Sequence, residues 1–196
     1  MITEVQPERK EAPGELELVR NFVNTLDIED EEEDLGSLEQ LRDWLVEREL
    51  MDAADPVSDG DLRRAIDVRE GLRAILLANN GSPYDEGAVE RLDRAASRAG
   101  LRLRFHPGGC AEFETDATGV DGALARLLAI VAEARVEGEW ERLKACADHG
   151  CQWAFYDKSK NRSKKWCRME VCGNVAKARS YRQRQKSGTA TRSGAP

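Results

Sequence analysis

Apolar residues recur at helical spacing along most of the chain. Leu16, Val19, Phe22, Val23 and Leu26 fall on one helical face, and the acidic run IEDEEED after them predicts a solvated loop. Ser37 with Gln40 forms a capping-box start for a second helix that turns Leu38, Leu41, Trp44 and Leu45 inward. Ser58 with Asp61 opens a longer helix along Leu62, Ile66, Arg69, Leu72, Ile75 and Leu76, which stops at Asn79-Asn80-Gly81. A fourth helix runs from about Asp85 through Val89, Leu92 and Ala96 to Gly100.

The period then changes. LRLRF alternates apolar and polar residues, HPGG is a turn and CAEFET can return, so a short hairpin is expected, with Cys110 as a small packing residue beside it. Asp121 caps a further helix carrying Leu124, Leu127, Leu128 and Val131, and Gly138 separates it from EWERLKAC. Residues 1–14 and 187–196 are polar and small, too poor in apolar surface to order themselves, and are expected to be disordered. The expected organisation is a helical domain with one hairpin over 15–138 and a second module over 139–186.

Composition sharpens this division. The chain has 196 residues and a net charge of −7, but residues 141–196 hold 14 Lys+Arg against 4 Asp+Glu, leaving 16 against 33 for residues 1–140. An acidic body thus carries a basic end, the pattern expected where one end meets a polyanion. The N-terminus has no apolar stretch suited to a signal peptide, and no window approaches a membrane span, so the expected compartment is the cytoplasm and no membrane partner is expected.

Four of the five cysteines stand in two equal pairs, Cys146/Cys151 and Cys167/Cys172, spaced C-x4-C-x15-C-x4-C. Two short loops offering two thiolates each have the logic of a structural zinc site, closed by four sulfurs and therefore not catalytic. Two disulfides would suit a secreted mini-domain, and a redox pair usually reads C-x-x-C; one structural zinc ion is the favoured reading over both. His149, in the first loop, is read as exposed rather than as a substitute ligand. Between the pairs, WAFYDK is strand-prone, SKNRS turn-prone, and KKWC able to run back antiparallel, while GNVAKARSYRQRQK is rich in helix formers. Knuckle, hairpin and helix make a treble-clef-like ββα finger, so the fold class is mainly α with a small hairpin, plus this finger. A module of about 40 residues cannot fold on its own core, so the metal would supply most of its folding free energy.

Basic residues crowd the module. Arg162, Lys164, Lys165 and Arg168 in the hairpin, with Lys177, Arg179, Arg182, Arg184 and Lys186 beyond it, are the candidate nucleic-acid contacts, with double-stranded DNA the expected partner. Val175, Ala178 and Tyr181 can turn inward on the same helix. Trp153, Phe155, Tyr156 and Trp166 could stack on bases, though in so small a finger they are read first as its core. In the body, Asn21, Asn24, Thr25 and Arg69 are candidate lining for a pocket taking a small-molecule or protein effector, with a structural polar network as the alternative. No catalytic triad, phosphate loop or convincing carboxylate pair is present, and no enzyme is expected.

The motif formed by Phe155, Asp157, Ser159, Asn161, Ser163, Trp166, Cys167, Met169, Cys172, Gly173, Asn174 and Lys177 resembles the CGNR-type zinc finger of bacteria. Val175 stands where that family's motif has arginine. Upstream, LELVRNFVNTLD, LEQLRDWLVERELMD and AIDVREGLRAIL resemble the ABATE-type domain that usually precedes this finger. The resemblance implies a stress-response transcription regulator that binds zinc and DNA, its N-terminal domain sensing a ligand or partner; the alternative is a zinc-dependent protein-interaction or RNA-associated module without a specific DNA target.

Overall fold

A computed structural model describes residues 11–178. Helix α1 (Leu16–Val23) buries Leu16, Val19, Phe22 and Val23, and the ring of Phe22 meets that of Trp44 edge-on at 5.3 Å. Residues 11–14, expected within a disordered tail, are placed: Ala12 is buried in the core, and its amide donates to the Glu17 carboxylate at 2.7 Å. The acidic run is tied back rather than loose. Strands β1 (Leu26–Asp27) and β2 (Glu32–Glu33) pair across it.

Helices α2 (Leu38–Val46), α3 (Asp59–Asn79), α4 (Glu86–Arg98) and α5 (Gly119–Val136) complete the body, and an exposed hairpin of β3 (Arg102–Phe105) and β4 (Ala111–Glu114) separates the last two. The Ser58/Asp61 capping box is complete in both directions, whereas Ser37 accepts only from the Gln40 amide. Gly71 lets α3 approach α4 closely: a Cβ there would lie 2.9 Å from a Leu92 methyl, which would have to shift. Cys110 is exposed at the turn rather than packed.

The C-terminal module shares the body's core. After a 3₁₀ turn (Trp140–Arg142), β5 (Leu143–Ala145) pairs antiparallel with β6 (Ala154–Tyr156). Residue alternation gives this sheet two customers. Leu143, Ala145, Ala154 and Tyr156 join the main core with Leu16, Leu72 and Trp140, while Phe155 packs with the cysteines and Lys144 points away from the body into the finger.

The strand pairing corrects one expectation. WAFYDK pairs with the segment before the first cysteine, not with KKWC, because the Cys146–Cys151 turn itself forms the hairpin end; KKWC returns as irregular chain, held when the Ala147 amide donates to the Lys165 carbonyl at 3.0 Å.

Side chains of the body bond further backbone groups of the sheet and of the turns beside it. Asn24 donates to the Ala154 carbonyl at 3.0 Å and accepts from its amide at 2.7 Å, acting as a one-residue substitute strand. Asn79 donates to the Trp140 and Leu143 carbonyls at 3.0 Å each, and Asn80 to those of Ala145 and Lys165 at 2.7 and 2.8 Å. Arg73 reaches Gln152 O at 3.1 Å and Val23 O at 2.7 Å.

Replacing Asn24 by Ala leaves a buried N–H and a buried C=O without partners. Asn24→Ala is expected to lower unfolding stability by about 2 kcal/mol or more, read as a lower urea midpoint with unchanged slope.

Candidate metal centre

Cys146 and Cys151 end the two arms of a tight turn, in which the Cys151 and Gln152 amides donate to Asp148 O at 2.9 and 3.0 Å and Gln152 adopts φ +48°. Cys167 lies on the returning chain. Cys172 sits in a single π-helical turn (Met169–Gly173), followed by helical residues to 178. Gly173 is packed so tightly that a Cβ would lie 2.5 Å from the Met169 sulfur.

The four Sγ atoms all lie within 4.8 Å of one another, with Cys151 to Cys167 at 3.5 Å and Cys167 to Cys172 at 3.7 Å. A tetrahedral zinc ion with Zn–S bonds of about 2.3 Å sets its sulfurs roughly 3.8 Å apart, so the donor set fits one ion. Backbone amides complete it: those of Asp148 and Cys167 donate to the Cys146 sulfur, and that of Trp153 to Cys151.

Hydrogen bonds from Cys151 and Cys167 hold the Cys146 thiol far below its usual range; those same bonds push Cys151 and Cys167 up, and burial pushes Cys172 up. Several thiolates side by side repel one another, and a divalent cation at their centre relieves that repulsion. The four cysteines form a single zinc-binding site whose chemistry is structural: no ligand position is left over for water or substrate.

A second, ionic centre supports the first. Lys144 is 4% exposed and Asp157 fully buried; Lys144 Nζ lies 2.9 Å from Asp157 Oδ2 and donates to Arg162 O at 2.5 Å and Lys164 O at 3.3 Å. Asp157 also accepts from the Ser159 and Lys164 amides, both at 2.9 Å, and Ser159 Oγ from the Ser163 amide at 3.3 Å. Burial alone would raise the Asp157 pKa, but the bonds from Ser159, Lys144 and Lys164 outweigh it and hold the carboxyl at about 2. Sequence reasoning found Asp157 as a turn-closing residue and missed Lys144, which looks in sequence like one more surface cation.

The sequence-predicted site residues separate into three groups. Arg162, Lys164, Lys165 and Lys177 are exposed around the metal site, with Lys164 Nζ 5.5 Å from the Phe155 ring centre; Arg168 is half-buried and paired with Glu29 of the acidic loop at 3.0 Å. Arg179, Arg182, Arg184 and Lys186, with Tyr181, lie outside the described residues. Phe155 and Tyr156 are buried, Trp153 and Trp166 half-buried against the sulfurs, and His149 exposed. Val175 and Ala178 are exposed rather than turned inward.

In the body, Arg69 is 2% exposed and spends its donors on Glu33 (2.6 and 2.8 Å), Glu70 (2.8 Å) and Thr25 (3.2 Å). Burial would lower its pKa, yet Glu33 and Glu70 hold it above the usual value, while Arg69 in turn holds Glu33 low. Thr25 donates to Phe22 O at 2.8 Å, Asn21 accepts from Arg20 at 3.3 Å, and Asn24 bonds the finger strand. These four side chains thus all take part in hydrogen bonds with neighbouring groups, as the structural alternative requires.

Comparison with known families agrees with this architecture. The model described as "ABATE: Putative stress-induced transcription regulator" matches residues 16–138, and that of the CGNR zinc finger matches residues 142–185. No curated protein matches the chain.

Protein purified under reducing conditions is expected to carry one zinc per chain by metal analysis, and Cys167→Ser to lose both zinc and the folded finger. Because the ligands must be thiolates, zinc is released as pH falls. Asp157→Asn leaves Lys144 buried without a counter-charge and should cost about 3 kcal/mol in denaturant unfolding near neutral pH. The Asp157 carboxyl titrates lower folded than unfolded, so its contribution is full above about pH 4 and fades toward pH 2.

Proposed function

The chain belongs to the ABATE family and carries a CGNR zinc finger, and from that premise we propose that it is a transcription regulator whose finger binds double-stranded DNA and whose helical body senses an effector. The observation that carries this is the distribution of charge around the zinc site. Lys158, Lys160, Arg162, Lys164, Lys165 and Lys177 are all exposed, and among the described residues none is held in an ion pair with a carboxylate. The cations that the fold consumes are different ones: Lys144 serves Asp157, Arg168 serves Glu29, and Arg73 serves Glu70 and backbone carbonyls.

Exposed lysines and an arginine in the finger module, in a chain whose remainder is strongly acidic, suit a phosphate backbone. Phosphate contacts supply sequence-independent affinity, and arginine in a groove adds base discrimination. The acidic body repels the same polyanion, which leaves the finger as the end that approaches it. Neither family present is an enzymatic one, and no helix of the described residues is long and apolar enough to cross a membrane. We read the protein as a cytoplasmic regulator with no catalytic role.

The body is tied to the finger through Asn24, Arg73, Asn79 and Asn80, so a body that shifts its helices also shifts the finger's strands. That mechanical link supports a sensing role. Binding to duplex DNA should weaken steeply with salt. The double variant Arg179→Ala/Arg182→Ala should lower the slope of log K against log salt by about 2. An unchanged slope would remove these two arginines from the interface, and binding that is equal for duplex DNA and structured RNA would favour the RNA-associated alternative.

A further inference from the structure

A cleft of about 670 Å³ lies where the finger meets the body, a size suited to a small organic ligand. One wall is the end of α5, which presents Glu133 and Glu137 one turn apart, and the last turn of that helix adds the negative end of its dipole. The finger module contributes Arg142 and Lys158 to the same lining. The floor is apolar, formed by Leu16, Ile130, Ala134 and the Tyr156 ring.

Oppositely charged groups normally close on each other. Here, among the described residues, no charge pairs across the cleft. Arg142 is fixed from behind, donating to Asp157 O at 3.0 Å and Ser159 O at 3.2 Å through Nη1 alone; the Tyr156 hydroxyl donates to Glu139; and Glu15, at the rim, pairs with Arg126. Lys158, Glu133 and Glu137 keep their charges for something between them.

We infer that this cleft binds a small zwitterion, an α-amino acid with an apolar side chain. Its ammonium group meets Glu133 and Glu137, its carboxylate meets Lys158 and the free face of Arg142, and its side chain covers the floor. A ligand with both charges bridges groups that belong to different halves of the molecule, whereas a plain cation or anion leaves one set unsatisfied. The site rests on its own geometry and not on the nucleic-acid reading.

The test is titration calorimetry of the zinc-loaded full chain, without nucleic acid, using L-leucine and L-phenylalanine as probes. At least one is expected to bind saturably at one per chain. N-acetyl-L-leucine, which lacks the ammonium, and L-leucinamide, which lacks the carboxylate, should each bind at least about tenfold more weakly, the cost of one charge-assisted contact. Lys158→Gln should lose about tenfold for the amino acid while leaving leucinamide binding unchanged, and Glu133→Gln/Glu137→Gln should show the converse selectivity toward N-acetyl-leucine. All three positions are exposed or at the rim, so zinc content and circular dichroism of the variants should match the parent. Absence of saturable binding by either amino acid overturns the assignment, as does equal affinity of the blocked derivatives. Loss or retention of DNA binding leaves this result untouched.

Discussion

A two-stranded sheet whose two faces are both covered by protein is the constraint on which the rest of this molecule depends. Strands β5 and β6 are buried throughout, yet among the described residues each has only one strand neighbour. Buried peptide groups on the outer edges must find partners or cost the fold dearly. The body supplies them as side-chain amides and a guanidinium, from Asn24, Asn79, Asn80 and Arg73. Each is itself fixed on α3 or at the end of α1, so the finger's position is set by helices that never touch the metal.

The same sheet explains how a module too small for its own core is stabilised twice. Its body-facing side chains extend the main core, and Phe155 on the other side packs with the cysteines. The zinc site therefore orders the turn, the returning chain and the start of the final helix, rather than the strands. Between those parts the Lys144–Asp157 pair closes the loop of residues 158–164. An ion pair in that setting is costly unless its remaining lone pairs and protons are used, and here they are: Asp157 accepts two backbone amides and Lys144 serves two carbonyls.

Charge is divided by the same architecture. Arginines that carry structure face inward and are matched by Glu33 and Glu70, while the lysines of the finger loop face solvent and, among the described residues, form no ion pair with the body. Arg168 is the exception: it leans on Glu29 and so anchors the acidic loop against the finger. The exposed Val175, beside Cys172 and Asn174, stands outside the metal's packing, so its difference from the family motif bears on the surface and not on the site.

Much of this was written in local sequence. Helical periodicity placed α1 to α5, the capping pair Ser58/Asp61 placed the start of α3, and the alternation LRLRF placed the exposed hairpin, because each depends on residues a few positions apart. The paired cysteine spacing identified the zinc ligands for the same reason. What local pattern could not reveal was partnership across the chain. Lys144 and Asp157 are an ordinary lysine and aspartate until a buried strand brings them together, and Asn79 and Asn80 read as a helix stop until β5 lies across them. The pairing of β6 with the segment before Cys146, rather than with KKWC, was decided by the closure of the turn between the first two cysteines. Sequence by itself determined the five helices, the exposed hairpin and the metal's ligands, since each is local chemistry; tertiary structure alone decided that finger and body share one core, since burial of a sheet's second face is a property of what packs upon it.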